Sequence, residues 1–384
     1  MPSSNQNPKL GLVLSAGGAR AAYQVGVLRY IGQHFPHFRP RVFSGVSAGS
    51  IIACYLAQGE PLQQATLRMY ELWAALHFDQ VLKTNFNSML SLFLRWFWDL
   101  FLSKMTDRLL VRALLDASPL SRTLLSHIHF WKIARAIRSG EVDGLAISAT
   151  NYFDGMTTVF YDSFRPIPAW RREKRIAVRS AIRIRHIMAS CSIPLLFEPV
   201  RIGDSLFGDG SLRLSFPLSP SIHLGATHLL TISIRCPNSV SPVKLEKPEQ
   251  LSMGFIAGTV LNSIFLDSLE ADHENMVRMN QVYDGKQVKR IESLLIRPSL
   301  DLGAIAKEFI GEIPFHFRQV VRALATSPAE LGDLMSYLMF TNGYLNALLE
   351  LGQKDAKSNH DQIEQLLASA CPVPSLQRSS STGD

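Results

Sequence analysis

Residues 41–57 read RVFSGVSAGSIIACYLA, and this stretch decides the fold. The run from Arg41 to Val46 predicts a short buried strand, and Ser50 to Ala57 predicts a helix. Between them Gly45-Val46-Ser47-Ala48-Gly49 fits G-x-S-x-G, the pattern of a nucleophile elbow. Five residues match by chance often, but the strand–turn–helix context is the one that an elbow requires. Ser47 is therefore a candidate nucleophile, and a structural glycine-rich turn is the alternative.

The residues before this stretch complete a βαβ unit. Leu10 to Leu14 predicts a buried parallel strand, and Ala21 to Ile31 predicts a helix with apolar residues on one side. Two strands joined by a helix imply a parallel sheet with a right-handed crossover. Gly45 and Gly49 would relieve the crowding of a strained turn, and Ser47 would then stand at the positive end of a helix.

A glycine-rich loop, Ala16-Gly17-Gly18-Ala19-Arg20, follows the first predicted strand. In a parallel sheet it emerges at the same edge as Ser47, so its backbone amides are candidates for an oxyanion site. Arg20 could either hold the loop or meet a phosphate. The run lacks the G-x-G-x-x-G fingerprint of dinucleotide-binding proteins and the G-K-[ST] of nucleotide P-loops.

A serine nucleophile also needs a base within hydrogen-bond reach. His223, His228 and His273 lie late enough in the chain for a Ser-His-Asp triad, but none follows a catalytic signature. Asp209-Gly210-Ser211 follows a short predicted strand, and its glycine lets the backbone expose the carboxylate. Asp209 is therefore the preferred candidate, although an Asp-Gly pair is also a common hairpin turn.

Two further segments have a distinctive composition. Residues 61–138 are predicted to be a helical insertion and possible lid. Within them Met89–Leu102 reads MLSLFLRWFWDLFL, which is too short to span a bilayer. It suits a core helix, an oligomer contact or an interfacial helix. Residues 165–185 carry eight basic residues and one acid, and are predicted to form a basic helix that is either solvated or faces anionic head groups.

Strands return after Asp143. Residues 145–151 and 157–161 predict a hairpin around Phe153-Asp154-Gly155, and His228–Ile234 predicts an apolar strand. Residues 301–352 look helical, with Leu331, Leu334 and Leu338 at helical spacing. The predicted division is a tail (1–9), a catalytic domain (10–236), a helical C-terminal extension (237–371) and a disordered Ser-rich tail (372–384).

Length, composition and net charge restrict the possible classes of function. The 384 residues are 47% apolar with a net charge of +7, which allows one large domain with insertions. The four cysteines form no CxxC pair, so neither a zinc site nor a disulfide framework is expected. The polar N-terminus lacks the apolar core of a signal peptide, and the scattered cysteines favour a reducing cytoplasm. Nucleic-acid-binding motifs are not found.

Together the loop at residues 16–20, the elbow at 45–49 and Asp209-Gly210-Ser211 resemble the patatin-like phospholipase family. Residues 189–194 with 197–200 resemble the block that precedes the family's aspartate. The resemblance covers Leu10 to Ile234. Residues 333–356 are similar to the C-terminal extension of some bacterial members.

The resemblance implies a three-layer α/β/α fold with a central, mostly parallel sheet. It also implies a dyad of Ser47 and Asp209 without histidine, with an oxyanion site at Gly17, Gly18, Ala19 and Arg20. No metal or other cofactor is implied, and burial should raise the pKa of Asp209 so that it can act as a base. Ala16 stands where many members of the family have a third glycine, and Ser211 stands where the last small residue is usually glycine or alanine.

The function expected from the resemblance is hydrolysis of fatty-acyl esters of phospholipid or another lipid at a membrane surface. The protein would be peripheral on the inner membrane face, with residues 89–102 and 165–185 as the candidate contacts. A soluble esterase, thioesterase or acyltransferase with the same dyad, a non-catalytic lipid-binding scaffold, and an α/β-hydrolase with a histidine triad stay open. Head group, acyl position and oligomeric state are also open.

Overall fold

The computed structural model describes residues 8–82, 115–194, 196–237, 253–281, 290–315, 318 and 335–370. Its strands are β1 (Leu10–Leu14), β2 (Val42–Val46), β3 (Gly144–Asn151), β4 (Thr157–Ser163), β5 (Arg171–Arg172), β6 (Arg175–Arg179), β7 (Val200–Ile202), β8 (Ser205–Asp209), β9 (His228–Ile232) and β10 (Glu292–Ile296). Its α-helices are α1 (Ala22–His34), α2 (Ala48–Leu56), α3 (Leu62–Ala74), α4 (Phe78–Val81), α5 (Ser118–His127), α6 (Phe130–Ser139), α7 (Ile184–Ser190), α8 (Ser219–His223), α9 (Met253–Gln281), α10 (Leu302–Glu308), α11 (Asn342–Ser358) and α12 (His360–Ala370).

One mixed sheet organises the chain. Its strand order is β10-β9-β1-β2-β3-β4-β6-β5, with β8 on β3 and β7 on β8. The five strands from β10 to β3 run parallel, and β4 and β8 are antiparallel to β3. This confirms the predicted α/β fold with a mostly parallel sheet, including the βαβ unit of β1, α1 and β2.

Helices cover both faces of the sheet, because its central strands are apolar on both sides. In β1, Leu12 and Leu14 belong to the larger core, which also includes residues of α1, α3 and α11. Val13 points the other way, into a smaller core with residues of α8 and α9. The alternation of side chains along a strand thus divides β1 between two cores and gives three layers.

Two sequence predictions differ from the observed structure. The basic stretch at residues 165–185 was predicted as a helix, which is wrong: it contains the β5–β6 hairpin, and a helix begins only at Ile184. Ala177 is buried while Val178 and Arg179 are exposed, which suits a strand paired with β4. The extension over 237–371 is also not wholly helical, since β10 adds an edge strand beside β9.

Several expectations fall outside the described residues: the aromatic stretch Met89–Leu102, Leu331, Leu334 and the tail at 372–384. The described parts of residues 61–138 contain the helices α3 to α6. Within the described part of the chain, we find no helix with the length and apolar character needed to cross a membrane.

Candidate active site

Residues 45–49, the predicted elbow, place Ser47 at the turn between β2 and α2. Ser47 has φ 52° and ψ −129°, and among the described residues it is the sole non-glycine residue with a positive φ. Such backbone strain is typical of functional sites. A Cβ at Gly45 would overlap the Gly49 carbonyl, and one at Gly49 would overlap the carbonyls of Leu14 and Ser15. Both glycines are therefore required by close backbone packing, which supports the elbow rather than an ordinary loop.

The helix that follows the elbow supplies a hydrogen-bond donor. Ala48 is the first residue of α2, so its N–H belongs to the amides that lack an acceptor within the helix. It also lines the same cleft as Ser47. The residue after the nucleophile is a usual oxyanion donor at an elbow. The sequence prediction did not include Ala48, although the motif alone was sufficient to suggest it.

Strand register brings Asp209 to Ser47. β2 pairs with β3 as far as Val46 beside Ser148, and β8 takes the next place, with Asp209 beside Ala149. The opposite side of β3 is occupied by β4 over this stretch, so β8 continues the line of β2. The end of β2, where Ser47 begins the elbow, and the end of β8 at Asp209 therefore meet at one point of the sheet.

Asp209 is fully buried, and both its backbone N–H and its backbone carbonyl form hydrogen bonds. Its N–H donates to the carbonyl of Ser192 at 2.7 Å, and its carbonyl accepts from the Thr150 hydroxyl at 2.8 Å. Oδ1 accepts from the N–H of Ser211 at 2.9 Å, whereas buried Oδ2 has no partner with full hydrogen-bond geometry. One carboxylate oxygen is thus available to receive a proton.

Burial raises the pKa of Asp209 to about 6, and the nearby hydroxyls of Ser47 and Ser211 act in the opposite direction. The Ser47 side chain therefore lies close enough to influence the carboxyl, although the contact lacks full hydrogen-bond geometry. Such contacts are often loose in unliganded active sites and tighten when substrate binds. The hydroxyl of Ser211, where the sequence departs from the family pattern, is buried beside the candidate base.

The glycine-rich loop lies beside Ser47. Gly17 and Gly18 have φ 156° and 53°, and a side chain at Gly18 would overlap the carbonyl of Tyr337. The N–H of Ala19 donates to that carbonyl at 2.9 Å, and the N–H of Arg20 donates to the carbonyl of Gly17 at 3.0 Å. Of the four residues predicted for the oxyanion site, Gly17 and Gly18 therefore remain the candidate donors, and Gly18 lines the cleft.

The contacts of Arg20 distinguish between the two roles that the sequence allowed, which are to hold the loop and to meet a phosphate. Its side chain is buried, and it donates to the hydroxyls of Ser336 at 2.7 Å and Tyr337 at 3.1 Å. The guanidinium carbon also lies 4.0 Å from the centroid of the Tyr337 ring. These contacts favour a role in holding the loop over a role in meeting a substrate phosphate.

An apolar cleft opens at Ser47. It contains about 710 Å³ of empty space, part of it open to solvent. Its walls come from α2 to α5, the turn after α7 and residues 335–340, with side chains that include Ile51, Trp73, Leu124 and Phe340. Such a surface suits a hydrocarbon chain, because burial of apolar area is its main source of binding free energy.

Ser190 is a further residue of the site to which the sequence analysis assigned no role. Its buried hydroxyl accepts from the N–H of Ser47 at 2.8 Å and donates to the carbonyl of Ser148 at 2.7 Å. Two residues later, Ser192 holds the backbone of Asp209. In the sequence, Ser190 is marked by the block at residues 189–194, which resembles the block before the family's aspartate. Only the fold shows that this block contacts Ser47.

The three candidate histidines make contacts elsewhere. His223 stacks on Trp170 with ring centroids 4.6 Å apart, and Nδ1 of His228 lies 2.8 Å from the hydroxyl of Thr227. His273 Nε2 lies 3.1 Å from the Ser293 hydroxyl. These contacts do not support a triad that includes one of the three. Among the described residues, no three His, Cys, Asp or Glu side chains form a group that could hold a metal ion.

Comparison with known proteins gives a family match. The family model described as patatin-like phospholipase matches residues 12–222, which is more than half of the chain. An uncharacterized protein, R571 of Acanthamoeba polyphaga mimivirus, is 27% identical over 213 residues, or 54% of this chain and 60% of that protein. The chain therefore spans less than two thirds of that relative's length.

Solved structures align at low identity. Human GIVD cytosolic phospholipase A2 bound to methyl gamma-linolenyl fluorophosphonate has 15% identity over 94% of this chain and 59% of its own, with a TM-score of 0.45. VipD from Legionella pneumophila has 14% identity over 95% and 67%, with a TM-score of 0.35. ExoU of Pseudomonas aeruginosa, in complex with SpcU, has 15% identity over 98% and 82%, with a TM-score of 0.26.

Proposed function

This chain belongs to the patatin-like phospholipase family, and we propose that it hydrolyses fatty-acyl esters of lipids through a dyad of Ser47 and Asp209. The observation that carries this proposal is the apolar cleft that Ser47 lines. An acyl chain placed in the cleft would bring its ester carbonyl to the serine. A soluble ester with a short acyl group would leave most of this apolar surface uncovered, so a long-chain substrate fits better.

In the proposed acylation step, the Ser47 hydroxyl attacks the ester carbonyl while its proton passes to Asp209. The developing oxyanion accepts hydrogen bonds from the backbone amides of Gly18 and Ala48, which lie at the cleft. The tetrahedral intermediate then breaks its bond to the alcohol. Asp209 returns the proton to the leaving oxygen, and the alcohol, for example a lysophospholipid, departs.

In the proposed deacylation step, water attacks the acyl-enzyme and gives a proton to Asp209. Collapse of the second intermediate frees the fatty acid and restores the proton to Ser47. Both steps need Asp209 ionised at the start, and its pKa of about 6 keeps it ionised at neutral pH. The raised pKa also makes it a stronger base than an ordinary aspartate.

Access to lipid is proposed to come through the β5–β6 hairpin. Arg171, Arg172 and Lys174 are exposed there. β6 begins at Arg175 beside Thr157 of β4, which in turn pairs with Thr150 at the end of β3. The hairpin turn therefore lies at the sheet edge that carries Ser47 and Asp209, where its charge would attract anionic head groups.

Aromatic side chains accompany this charge. Phe153, in the turn after β3, is 68% exposed, and Phe216 is 45% exposed with the Arg175 guanidinium 4.4 Å from its ring centroid. Exposed aromatic rings next to basic residues are suited to the boundary between head groups and acyl chains. The described residues thus support a peripheral contact with an anionic membrane on the catalytic side.

The hydrolysis proposal is tested with a panel of long-chain phospholipids and short-chain soluble esters. The wild-type protein should cleave the long-chain lipids with the higher kcat/KM. Cleavage of soluble esters alone would be consistent with the proposed dyad but would contradict the proposal that lipids are the substrate. A folded protein that cleaves no member of the panel would reject the enzyme assignment and favour a lipid-binding scaffold.

The membrane proposal is tested by sedimentation with vesicles that contain or lack an anionic phospholipid. Arg171→Glu/Arg172→Glu should reduce binding to anionic vesicles while activity on a soluble ester is retained. Arg278→Glu/Lys307→Glu makes the same charge change at exposed positions of α9 and α10. Equal loss of binding by both double variants would mean that net charge, not the hairpin, is responsible.

A further inference from the structure

A short segment far along the chain, residues 335–340, covers the glycine-rich loop. All six residues are buried, and they lie beyond the part of the chain that the family model matches. The segment precedes α11, which packs closely on α1: a side chain at Gly26 would overlap the carbonyl of Leu349. Residues 335–340 are therefore held firmly against the loop that begins the catalytic domain.

The main chain of this segment fixes the main chain of the loop. The carbonyl of Tyr337 accepts from the N–H of Ala19 at 2.9 Å. The same carbonyl leaves no room for a Cβ at Gly18, whose φ of 53° is in the left-handed region. The left-handed conformation of Gly18, a proposed oxyanion donor, is thus packed against a residue more than 300 positions away.

The side chains of the segment hold the other end of the loop. The hydroxyls of Ser336 and Tyr337 accept from Arg20, and the Tyr337 hydroxyl donates to Oδ1 of Asn262 at 2.6 Å. The Tyr337 ring lies against the Arg20 guanidinium. Tyr337 thus links the loop to α9, and it also lines the cleft at Ser47.

We propose that Tyr337 is a positioning residue for the oxyanion site, and that residues 335–340 complete a catalytic site which the matched domain does not build alone. This inference rests on the proposed function. The carbonyl of Tyr337 acts on Gly18 and Ala19, and its hydroxyl acts on the loop through Arg20 and Asn262. Ser47 and Asp209 are instead held by β2, β8 and α7. Loss of the Tyr337 hydroxyl should therefore impair stabilisation of the transition state and leave the nucleophile and acyl cleft in place.

The test compares Tyr337→Phe with wild type on a soluble ester. We expect kcat to fall roughly 10- to 100-fold, because a displaced donor no longer meets the oxyanion, while KM changes less than about twofold. The Ki of an alkyl trifluoromethyl ketone, whose serine adduct carries an oxyanion, should rise by a similar factor. Ser336→Ala should shift kcat and Ki in the same direction.

The matched control is Tyr161→Phe. Tyr161 is also fully buried, and its hydroxyl donates to the carbonyl of Ile167 at 2.7 Å in the smaller core. This variant should lose some thermal stability but keep kcat and Ki. The same pattern for Tyr337→Phe and Ser336→Ala, with wild-type kcat in folded protein, would overturn the inference and leave the proposed function intact. An inactive wild type would reject the proposed function and this inference with it.

Discussion

The elbow around Ser47 and the glycine-rich loop around Gly18 face the same cleft, but they are held in different ways. The elbow is fixed by β2, α2 and the neighbouring α7, and its two glycines are required by backbone atoms of the elbow itself and of the β1 end. The loop is fixed by residues 335–340. The two glycines of the elbow are thus required by backbone atoms of nearby sequence, whereas Gly18 of the loop is required by a segment far along the chain.

This contrast predicts that damage at the elbow removes the chemistry, whereas damage at the loop weakens it. In the proposed mechanism, Ser47 supplies the oxygen that forms the bond to the acyl group. The loop supplies one of two proposed oxyanion donors, so its loss leaves the amide of Ala48.

Ser47→Ala should lower kcat for any cleaved ester by at least about 10⁴-fold, because the acyl-enzyme cannot form. The measurement is initial rate on a soluble ester, with thermal unfolding as the control for folding. Retention of more than a tenth of the activity would mean that another residue attacks the ester. The elbow would then not supply the nucleophile.

Gly18→Ala should lower kcat roughly 100-fold and destabilise the protein, because its Cβ meets the Tyr337 carbonyl. The matched control is Gly203→Ala, where φ is 62° but no atom lies within 4 Å of the new Cβ. It should cost only about 1–2 kcal/mol of unfolding free energy and keep kcat. If the two variants behave alike, backbone conformation alone explains the effect and the loop does not depend on residues 335–340.

Asp209→Asn should increase stability at pH 8 while it abolishes hydrolysis. The folded-state pKa of about 6 exceeds the ordinary 3.8, so stability is greater below pH 4 and falls as pH rises through 6. Above both values the ionised group costs on the order of 2–3 kcal/mol, which the neutral amide removes. Denaturant unfolding at pH 8 and pH 4 measures this, and a variant less stable at pH 8 than wild type would contradict the assigned desolvation.

Ser190→Ala should lower kcat roughly tenfold with little change in KM, because the N–H of Ser47 loses its acceptor and the elbow shifts. Ser192→Ala is the matched control. It removes a hydroxyl that donates to the carbonyl of Met188 at 2.7 Å and keeps the backbone carbonyl that holds Asp209. Equal kcat values for the two variants would show that the elbow does not need the Ser190 hydroxyl.

Ser211→Ala should give the smallest effect. The Ser211 hydroxyl lowers the pKa of Asp209, so its removal should move the acid limb of the kcat/KM profile to higher pH. The change at pH 6 should be less than about threefold, and activity at pH 8 should stay the same. An acid limb that moves to lower pH would mean that the Ser211 hydroxyl does not favour the ionised carboxylate.

The sequence was sufficient for the parts of the fold that repeat a local pattern. The strands β1 to β4, helices α1 and α2 and the G-x-S-x-G turn follow from hydrophobic patterning and glycine placement. The β5–β6 hairpin was missed because a run of arginines masks the alternation around Ala177. β10 was missed because an edge strand of five residues has little pattern of its own.

The candidate site likewise contains residues that motifs predict and residues that only the fold brings together. Ser47 and Asp209 were named from motifs, but their meeting depends on β8 taking the place of β2 beside β3, which is a matter of strand register. The roles of Ser190 and Tyr337 depend on contacts across roughly 140 and 320 residues. The block at residues 189–194 marks Ser190 in the sequence, but it does not indicate the partner of that residue. The conformation of Gly18 likewise depends on a carbonyl that no motif specifies.

The most direct test of the account is covalent labelling by a long-chain fluorophosphonate, with the rate measured against pH and the labelled residue identified by peptide mass spectrometry. The account predicts modification of Ser47, a rate that rises through pH 6 as Asp209 ionises, and near-complete loss of labelling in Asp209→Asn. Labelling at another residue, or an Asp209→Asn variant that reacts as fast as wild type, would contradict the Ser47–Asp209 dyad.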